Sequence, residues 1–352
     1  MATPGKLFND LLERIEPPDA RAKKAVKLPT RVRAHLETSE KLGAVEPYTL
    51  LTGSYKRHTA IGEIKDVDIM VFLDPKMKDE KPEVAFSLLR DALNDLPGRL
   101  KTDITPQRRS IRVTLEDQDF TLDLVPCVAP FGTEQPLLVP DRPREQWIWS
   151  DPLGYAAALS DLNGKRYDIV VPMIKLLKAW RDGRRIYMRP KSYWIECLVY
   201  SVLSAEGVVS KGDSHATVIS RVFDAVHQRF AWALNQNDVV PQILDPRLGN
   251  NVASGWERGH FEAFMNNLSK SMKLAHDALA TSEDDEGKKE AVRLWTEVFG
   301  EKWFEGTIYA EAMRTASGVS AGTVVVRSTG LLAPIGGREK GFAIPEHRFY
   351  GA

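Results

Sequence analysis

The sequence predicts an α+β lobe followed by a helical lobe, and three observations lead to that prediction. Before residue 130, short runs rich in Val, Ile and Phe alternate with helical segments. From residue 166 onward, longer segments are amphipathic or wholly apolar, with helical spacing. The last residues are rich in Gly, Ser, Thr and Ala. A chain of 352 residues is long enough for two or three lobes. We therefore expect a first lobe over 1–165, a helical lobe over 166–313 and a flexible C-terminal tail over 314–352.

The charge balance limits the classes of partner. Lys plus Arg and Asp plus Glu both number 48, so the formal net charge is zero. Sequence-independent binding to nucleic acid usually needs a basic excess, so we expect no long nucleic acid as partner. A local basic pocket for a small anion remains compatible with this composition. The chain shows neither the apolar core of a signal peptide nor a run long enough to span a membrane, so we expect a cytoplasmic protein without membrane contact.

The first lobe is predicted to combine helices with strands. Pro17-Pro18 separates two N-terminal helices, and the second has Thr30 near its start and Gly43 just past its end, as a capped helix does. Two alternating runs joined by the polar residues EDQD predict a hairpin. The predicted helices span 5–16, 29–42 and 83–96; the predicted strands span 47–52, 67–73, 109–115 and 120–128, with the hairpin turn over 116–119.

The second lobe is predicted to be helical throughout. Between 130 and 165, Pro and Gly are frequent and the periodicity is poor, so no regular element is predicted there. Beyond that stretch, the helical segments carry most of the eight tryptophans. The predicted helices lie within 166–184, 191–207, 215–234, 260–279 and 287–304.

Asp66 and Asp68 are two acids beside and within a predicted apolar strand. On a strand, residues i and i+2 project from the same face roughly 6 to 7 Å apart, so both carboxylates point the same way. Without a partner they would repel each other and resist desolvation. Mg²⁺ or Mn²⁺ prefers hard oxygen ligands and removes both costs. Asp123 lies in a later apolar strand; if the strands are adjacent, three carboxylates suffice for two ions about 3.5 to 4 Å apart.

Gly53 and Ser54 follow another apolar run and indicate a phosphate-binding turn. Glycine lets the backbone approach a ligand closely, and a strand-to-helix turn offers free N–H groups to phosphate. The Ser54 hydroxyl adds a donor, while Lys56 and Arg57 bring positive charge nearby. The implied ligand is a nucleoside triphosphate with Mg²⁺. A Walker-type ATPase and a protein kinase are disfavoured because their glycine-rich and catalytic motifs are absent from the sequence.

Each of these features has a simpler structural explanation when it is taken alone. A Gly-Ser pair is a common turn, and Asp-x-Asp is often a solvated strand edge or a helix cap. Asp123 could pair with an arginine such as Arg109 or Arg112. The conjunction of an apolar strand, Gly-Ser, a strand-borne Asp-Val-Asp and a later strand-borne Asp favours the metal site.

The stretch GSYKRHTAIGEIKDVDIMVFLD (53–74) resembles the hG[GS]-x-D-h-[DE]-h signature of polymerase-β-like nucleotidyltransferases, where h is hydrophobic. FTLDLVPC (120–127) resembles the strand with their third carboxylate. Within that superfamily, segments 173–203 and 243–253 are similar to those of the bacterial CD-NTases, relatives of cyclic GMP-AMP synthase and oligoadenylate synthetase found in CBASS antiphage systems. The resemblance covers about residues 30–310. It implies a palm of mixed sheet and helices, a helical C-terminal lobe and an active site in the cleft between them.

The resemblance also implies roles for individual residues. Three acids would be the catalytic metal ligands for two Mg²⁺ or Mn²⁺ ions, and a set of polar and aromatic residues would bind the donor nucleotide. The implied metal ligands are Asp66, Asp68 and Asp123; the implied nucleotide contacts are Gly53, Ser54, Lys178 and Ser192 for the triphosphate, Tyr193 for stacking on the base, Thr59 as a further triphosphate contact and Lys175 as the register alternative to Lys178.

The function implied by the resemblance is synthesis of a cyclic di- or trinucleotide second messenger from NTPs in CBASS defence. Its implied partners are a CBASS regulatory protein or a conjugation enzyme acting on the tail that ends at Gly351-Ala352. Alternatives are a linear oligonucleotide synthetase, an RNA 3′-end nucleotidyltransferase, an enzyme that modifies a protein or an antibiotic, and a degenerate nucleotide-binding sensor. The sequence indicates no oligomeric state.

Overall fold

The computed structural model describes most of the chain up to residue 304 and the backbone of three short strands beyond it. The described ranges are 3–64, 66–97, 103–115, 120–184, 186, 190–304, 324–326, 332–334 and 342–343.

A seven-stranded mixed sheet forms the centre of the first lobe. Strands β2 and β5 are parallel, and the other pairs are antiparallel. The strand order is β1-β2-β5-β4-β3, with β6 pairing to β5 and β7 to β6. The strands are β1 (Ala44–Thr52), β2 (Asp66–Leu73), β3 (Asp103–Pro106), β4 (Ile111–Thr114), β5 (Thr121–Val128), β6 (Leu137–Asp141) and β7 (Gln146–Ser150).

The central strand β2 is buried because it is apolar almost throughout. Its side chains from Ile69 to Leu73 are all buried, as expected for a strand covered on both faces. The predicted hairpin is confirmed, since β4 pairs antiparallel with β5. The predicted turn over 116–119 lies outside the described residues. Both β6 and β7 fall in the stretch where no element was predicted, because strands of 5 residues in a stretch rich in prolines give little periodic signal.

Four helices precede or flank these strands: α1 (Pro4–Ile15), α2 (Asp19–Glu37), α3 (Gly53–Lys56) and α4 (Pro82–Asn94). The prediction of a helix over 29–42 capped by Thr30 is wrong. Helix α2 begins directly after Pro17-Pro18, runs through Pro29 and ends before Thr38. The Ala-Arg-Ala-Lys-Lys-Ala run before Pro29 has high helix propensity, and the buried side chains of Val32 and Leu36 hold the second half of the helix against the sheet.

The second lobe contains the five predicted helices and one that was not predicted. A core of aromatic side chains joins them; for example, Trp180 lies edge-on to Phe264 with ring centroids 5.5 Å apart. Helix α5 was not predicted because its glycines and alanines leave a weak apolar face. The helices are α5 (Pro152–Lys165), α6 (Val170–Gly183), α7 (Ser192–Leu203), α8 (His215–Leu234), α9 (Arg258–Leu279) and α10 (Asp285–Phe299).

The boundary expected at residue 165 needs correction, because the two lobes are not consecutive in the chain. The apolar side chains of α1 belong to the core of the helical lobe, where Phe8 lies 5.0 Å from Trp295 and 5.7 Å from Phe299 between ring centroids. Tyr155 and Leu159 of α5 are buried in the same core. Periodicity shows that α1 has an apolar face, but it does not identify the surface that the face covers.

The region expected to be a flexible tail contains a small antiparallel sheet. Strands β8 (Val324–Val326), β9 (Leu332–Pro334) and β10 (Phe342–Ala343) pair in the order β10-β8-β9. The rest of 305–352 lies outside the described residues. Both cysteines, Cys127 and Cys197, are buried free thiols. Within the described ranges, none of the helices has the length and apolar character needed to cross a membrane.

Candidate active site

The sheet brings the three predicted acids to one place. Strands β2 and β5 are neighbours, and their parallel register puts Asp68 directly beside Asp123. Asp66 is two residues before Asp68, so its side chain projects from the same face. Asp68 and Asp123 line the cleft between the lobes, while the side chain of Asp66 is 56% exposed. The predicted convergence of the carboxylates is therefore present in the fold.

The electrostatics of this cluster favour a bound cation. Burial, together with the charges of Asp66 and Asp123, raises the pKa of Asp68 to about 6. Burial, followed by the charge of Asp123, also raises the pKa of Asp66. A divalent cation would offset both the desolvation and the repulsion, and carboxylate oxygens are the ligands that Mg²⁺ and Mn²⁺ prefer. The donor set therefore fits the implied ions.

Asp123 is also paired with Arg112, whose guanidinium would compete with a metal ion for the same carboxylate. The Arg112 guanidinium donates from Nε to Asp123 Oδ1 at 2.9 Å and from Nη2 to Oδ2 at 2.7 Å. The same Nη2 lies 3.9 Å from Asp66 Oδ2. Among the described residues, no three Asp, Glu, His or Cys side chains are already arranged around a common metal position. The arginine pairing considered from the sequence thus coexists with the acidic cluster.

Gly53 allows the backbone to approach this cluster. It ends the turn from β1 into α3 with φ +76°, a left-handed conformation that favours glycine. A Cβ atom built at this position would lie 2.0 Å from Asp68 Oδ2. The turn therefore has space for the Asp68 carboxylate only because Gly53 has no side chain. The neighbouring Ser54 contributes its carbonyl to the turn, accepting a hydrogen bond from the Thr59 N–H at 2.9 Å.

Lys178 lies in a buried network behind the cleft. Its ammonium donates to Glu196 Oε1 and to the Thr59 carbonyl, both at 2.8 Å. Glu196 also accepts from Arg57 Nε at 2.8 Å and from the Thr59 hydroxyl at 2.9 Å. Burial lowers the pKa of Lys178, and although burial opposes ionisation of Glu196, the two cations lower the pKa of that carboxyl. These contacts do not support a direct phosphate contact by Lys178; they hold the segment after Gly53 in place.

The remaining implied nucleotide contacts are divided between the cleft and its surroundings. Lys175 pairs with Glu16 and does not line the cleft. Ser192 begins α7 and accepts a hydrogen bond from Arg181 Nη1 at 3.3 Å.

Tyr193 does line the cleft, and its hydroxyl donates to Asp245 Oδ2 at 2.8 Å. The Tyr155 ring packs edge-on to the Tyr193 ring at 5.3 Å between centroids. The Arg57 guanidinium lies 5.8 Å from the Tyr193 ring centroid. The Tyr193 ring is thus held in a fixed orientation at the cleft surface, as stacking on a base requires.

The cleft has a volume of about 1440 Å³ and draws its walls from both lobes. Among the described residues, six cationic side chains and four aspartates line it, so cations are in excess there although the chain has no net charge. The cations are Arg57, Arg108, Arg109, Arg112, Arg144 and Lys191, and the aspartates are Asp68, Asp123, Asp151 and Asp245. Sequence reasoning identified Arg57 as a nearby charge but assigned no role to Arg108, Arg109 and Arg144 in binding a ligand. The signal available for two of them was the Arg108-Arg109 pair at the start of a predicted strand. Arg144 lies in a stretch without predicted elements.

The mixed sheet, the helical lobe and the convergence of the three acids agree with the polymerase-β-like nucleotidyltransferase fold expected from the sequence. Residues 1–163 match the family model described as Second Messenger Oligonucleotide or Dinucleotide Synthetase domain. Residues 1–163 are therefore similar to this class of synthetase domain.

The similarity of this chain to known proteins extends beyond residues 1–163. The chain is 28% identical over 307 residues to a cyclic AMP-AMP-AMP synthase of Acinetobacter sp., covering 84% of each chain. It is 23% identical to a cyclic AMP-AMP-GMP synthase of Enterobacter hormaechei, covering 84% of this chain and 91% of that one. The solved structure of E. coli MS115-1 CdnC in complex with HORMA-deltaN superposes with a TM-score of 0.63 at 18% identity, over 86% of this chain and 98% of CdnC. That structural similarity supports the fold.

Proposed function

We propose that this protein is a cyclic oligonucleotide synthase that joins nucleoside triphosphates through their ribose hydroxyls. The observation that carries the proposal is the convergence of Asp66, Asp68 and Asp123 beside Gly53, at the wall of a cleft between two lobes in which cationic side chains are in excess. Carboxylates on adjacent strands next to a close-approach glycine suit transfer of a nucleotidyl group, because both metal and triphosphate need to reach one point.

Each group of the chain has a part in this reaction. Asp66, Asp68 and Asp123 would hold two Mg²⁺ or Mn²⁺ ions, which supply charge stabilisation and activation of the attacking hydroxyl. The turn at Gly53-Ser54 would support the donor triphosphate, and the Tyr193 ring would stack on the donor base. Arg108, Arg109 and Arg144 would bind the phosphates of the acceptor nucleotide.

The bond changes follow from that arrangement. The acceptor hydroxyl loses its proton and forms a bond to the α-phosphorus, and the bond to pyrophosphate breaks. Further rounds with exchanged donor and acceptor roles would close the ring. The cleft volume of about 1440 Å³ supports this, since the site has to accommodate more than one nucleotide.

The names of the relatives favour an adenosine-containing cyclic trinucleotide within the di- or trinucleotide class. The relatives described as cyclic AMP-AMP-AMP synthase and cyclic AMP-AMP-GMP synthase both make rings of three nucleotides with at least two AMP units, by name. We extend this product class to the present chain, with ATP as the principal substrate.

We also extend to this chain a role in CBASS defence in the cytoplasm, which the resemblance in its sequence implies. CdnC was solved with HORMA-deltaN and with ATP. We extend to this chain both an NTP substrate and a regulatory partner of the HORMA kind. Conjugation of the tail at Gly351-Ala352 remains a prediction, and those residues lie outside the described ranges.

Incubation with each labelled NTP and all four together, in Mg²⁺, tests the proposal. The products are treated with phosphatase, separated by chromatography and identified by mass spectrometry. A phosphatase-resistant product of three nucleotides, absent from the Asp66→Ala/Asp68→Ala double variant, is expected. Products that remain phosphatase-sensitive would indicate linear oligonucleotides, and label transferred only to added RNA would indicate a 3′-end transferase. Nucleotide binding without turnover would indicate a sensor.

A further inference from the structure

Arg112 and Asp123 face each other on adjacent strands. The antiparallel register of β4 and β5 pairs the two residues directly. Both carboxylate oxygens of Asp123 accept a hydrogen bond from the one guanidinium, at 2.9 and 2.7 Å. This fork-to-fork geometry is the strongest form of pairing between arginine and a carboxylate. The pair is therefore a built feature of the sheet and not a chance surface contact.

The pair lies on a carboxylate that the proposed function requires as a metal ligand. A divalent ion would use the same oxygens as the guanidinium and carries charge of the same sign. The two cations therefore compete: even if they share the oxygen lone pairs, their repulsion weakens metal binding. The Arg112 side chain is 36% exposed and lines the cleft, so its guanidinium has space to leave Asp123 without disturbing the core.

The surroundings of Arg112 indicate what could draw the guanidinium away. Arg108 and Arg109 line the same cleft, so an anionic polyphosphate that enters it meets several guanidinium groups. Phosphate accepts the same two-pronged hydrogen bonding from arginine as carboxylate does. Arg108 is engaged with buried Asp141 through two hydrogen bonds of 3.0 and 2.7 Å. Asp141 is fully buried, whereas Asp123 belongs to the acidic cluster at the cleft wall. A metal ion in the cleft can therefore reach Asp123, the partner of Arg112, but not Asp141, the partner of Arg108.

We propose that Arg112 is an internal counter-ion of Asp123, which keeps the affinity of the acidic cluster for divalent cations low until the polyphosphate of a nucleotide takes over the guanidinium. The inference rests on the metal site of the proposed function. Its consequence is that cation binding and nucleotide binding support each other, because each ligand removes a cost that the other would otherwise bear. Arg112 acts here as a positioning residue for Asp123, with the nucleotide phosphates as its alternative partner.

Titration with Mn²⁺ alone, followed by electron paramagnetic resonance of the free ion, measures the first part of the proposal. Arg112→Gln is expected to bind Mn²⁺ about ten-fold tighter than wild type, because a positive charge within a few ångströms of the ion is removed. Arg112→Lys, which keeps the charge but not the fork, should lie between them. Arg109→Gln is the matched control, since it removes one positive charge from the same cleft without touching Asp123.

Binding of ATP in EDTA measures the second part by calorimetry. Arg112→Gln is expected to bind metal-free ATP several-fold more weakly than wild type, as the polyphosphate loses one guanidinium partner. The two affinities should thus change in opposite directions in one variant, which a folding defect would not produce. Circular dichroism and the Tm of each variant establish that it is folded, and Arg112→Lys serves if Arg112→Gln is not.

Three results would overturn the proposal. The first is Mn²⁺ affinity in Arg112→Gln equal to or weaker than wild type. The second is an equal gain in Mn²⁺ affinity in Arg109→Gln. That result would show that the effect comes from the overall positive charge of the cleft and not from Arg112 in particular. In both cases the metal site itself stands, provided that Asp68→Asn abolishes Mn²⁺ binding. The third is a lack of saturable Mn²⁺ binding in every variant, with and without ATP, which overturns the metal site of the proposed function as well.

Discussion

The Lys178 ammonium and the Glu196 carboxylate form a 2.8 Å ion pair between α6 and α7, with side chains only 2% and 1% exposed. Arg57 and Thr59, which follow the turn at Gly53, donate to the same carboxylate. The pair therefore connects the turn beside the acidic cluster with two helices of the other lobe. Two cations, Arg57 and Lys178, and the Thr59 hydroxyl donate to the two oxygens of Glu196, so the buried charge of this carboxylate is compensated.

Glu196→Gln should destabilise the protein strongly. It leaves Arg57 and Lys178 buried without a counter-ion, and breaking a buried pair in this way costs about 3 to 5 kcal/mol. The measurement is the free energy of unfolding from urea denaturation. The control is Asp161→Asn, which removes the exposed pair with Lys165 and should cost no more than about 1 kcal/mol. Equal losses in the two variants would contradict the role given to Glu196.

Gly53→Ala should lower kcat strongly by displacing groups of the acidic cluster. The new Cβ would lie 2.0 Å from Asp68 Oδ2, so either the turn or the carboxylate must shift. A misplacement of that kind costs about 100-fold in kcat. Gly43→Ala is the matched control, because Gly43 also has a positive φ, of +58°, but a Cβ added there would meet no atom within 4 Å. Gly43→Ala should lose only about 1 kcal/mol of stability for its positive φ, whereas Gly53→Ala should lose at least as much and should also lose product formation.

The acidic cluster could be predicted because it depends on local rules. Period-two alternation puts Asp66 and Asp68 on one face, and the hairpin that ends in β5 carries Asp123 to the neighbouring position. The position of Gly53 was predictable for the same reason, since it follows directly from a strand and a turn.

The partners of long side chains could not be predicted in this way. Lys178 was expected at the donor phosphates, yet its ammonium lies with Glu196, 18 residues away in the chain, and Thr59, 119 residues away. Which face of a buried helix meets which neighbour depends on tertiary packing, and a lysine on an apolar helix gives the same sequence signal in either role. The same limit applies to α1, whose apolar face was recognised without its partner.

Asp68→Asn should stabilise the metal-free protein while eliminating activity. The carboxylate is partly buried beside two like charges, and together burial and these charges raise its pKa to about 6, so its neutral isostere removes an unfavourable charge at pH 7. A gain of about 1 to 2 kcal/mol is expected in EDTA, from a pKa displacement of this size discounted for relaxation. Thermal unfolding in EDTA measures it, with exposed Glu134→Gln as a control that should leave Tm unchanged. A decrease in Tm would show that the charge is compensated in the folded state.

His215 should make stability depend on pH. Burial at the start of α8, where its ring stacks on Phe8 at 6.4 Å between centroids, lowers the pKa of the imidazole. The folded state thus binds a proton less readily than the unfolded state, and stability present above the unfolded pKa of about 6.5 is lost as the pH falls. His215→Phe keeps the ring contact and removes the titration. Its free energy of unfolding should match wild type at pH 8 and exceed it at pH 5.5, whereas parallel pH curves would rule out this cause.

Tyr193 offers a way to separate stacking from hydrogen bonding at the donor base. Its ring lines the cleft, while its hydroxyl donates to Asp245 Oδ2 at 2.8 Å, so the two parts of one side chain have different partners. If the ring stacks on the base, Tyr193→Ala should raise the KM for ATP by about 10- to 100-fold, since base–aromatic stacking contributes about 1 to 3 kcal/mol.

Tyr193→Phe keeps the ring and should leave KM within about three-fold of wild type, while lowering stability by about 1 kcal/mol because Asp245 loses a hydrogen-bond donor. Asp245 retains the backbone N–H groups of Arg247 and Leu248, which limits that loss. Steady-state kinetics with ATP, together with the free energy of unfolding of each variant, distinguish the two contributions. If Tyr193→Phe raised KM as much as Tyr193→Ala, the hydroxyl and its orientation of Asp245 would be the important feature, and the stacking role would be wrong.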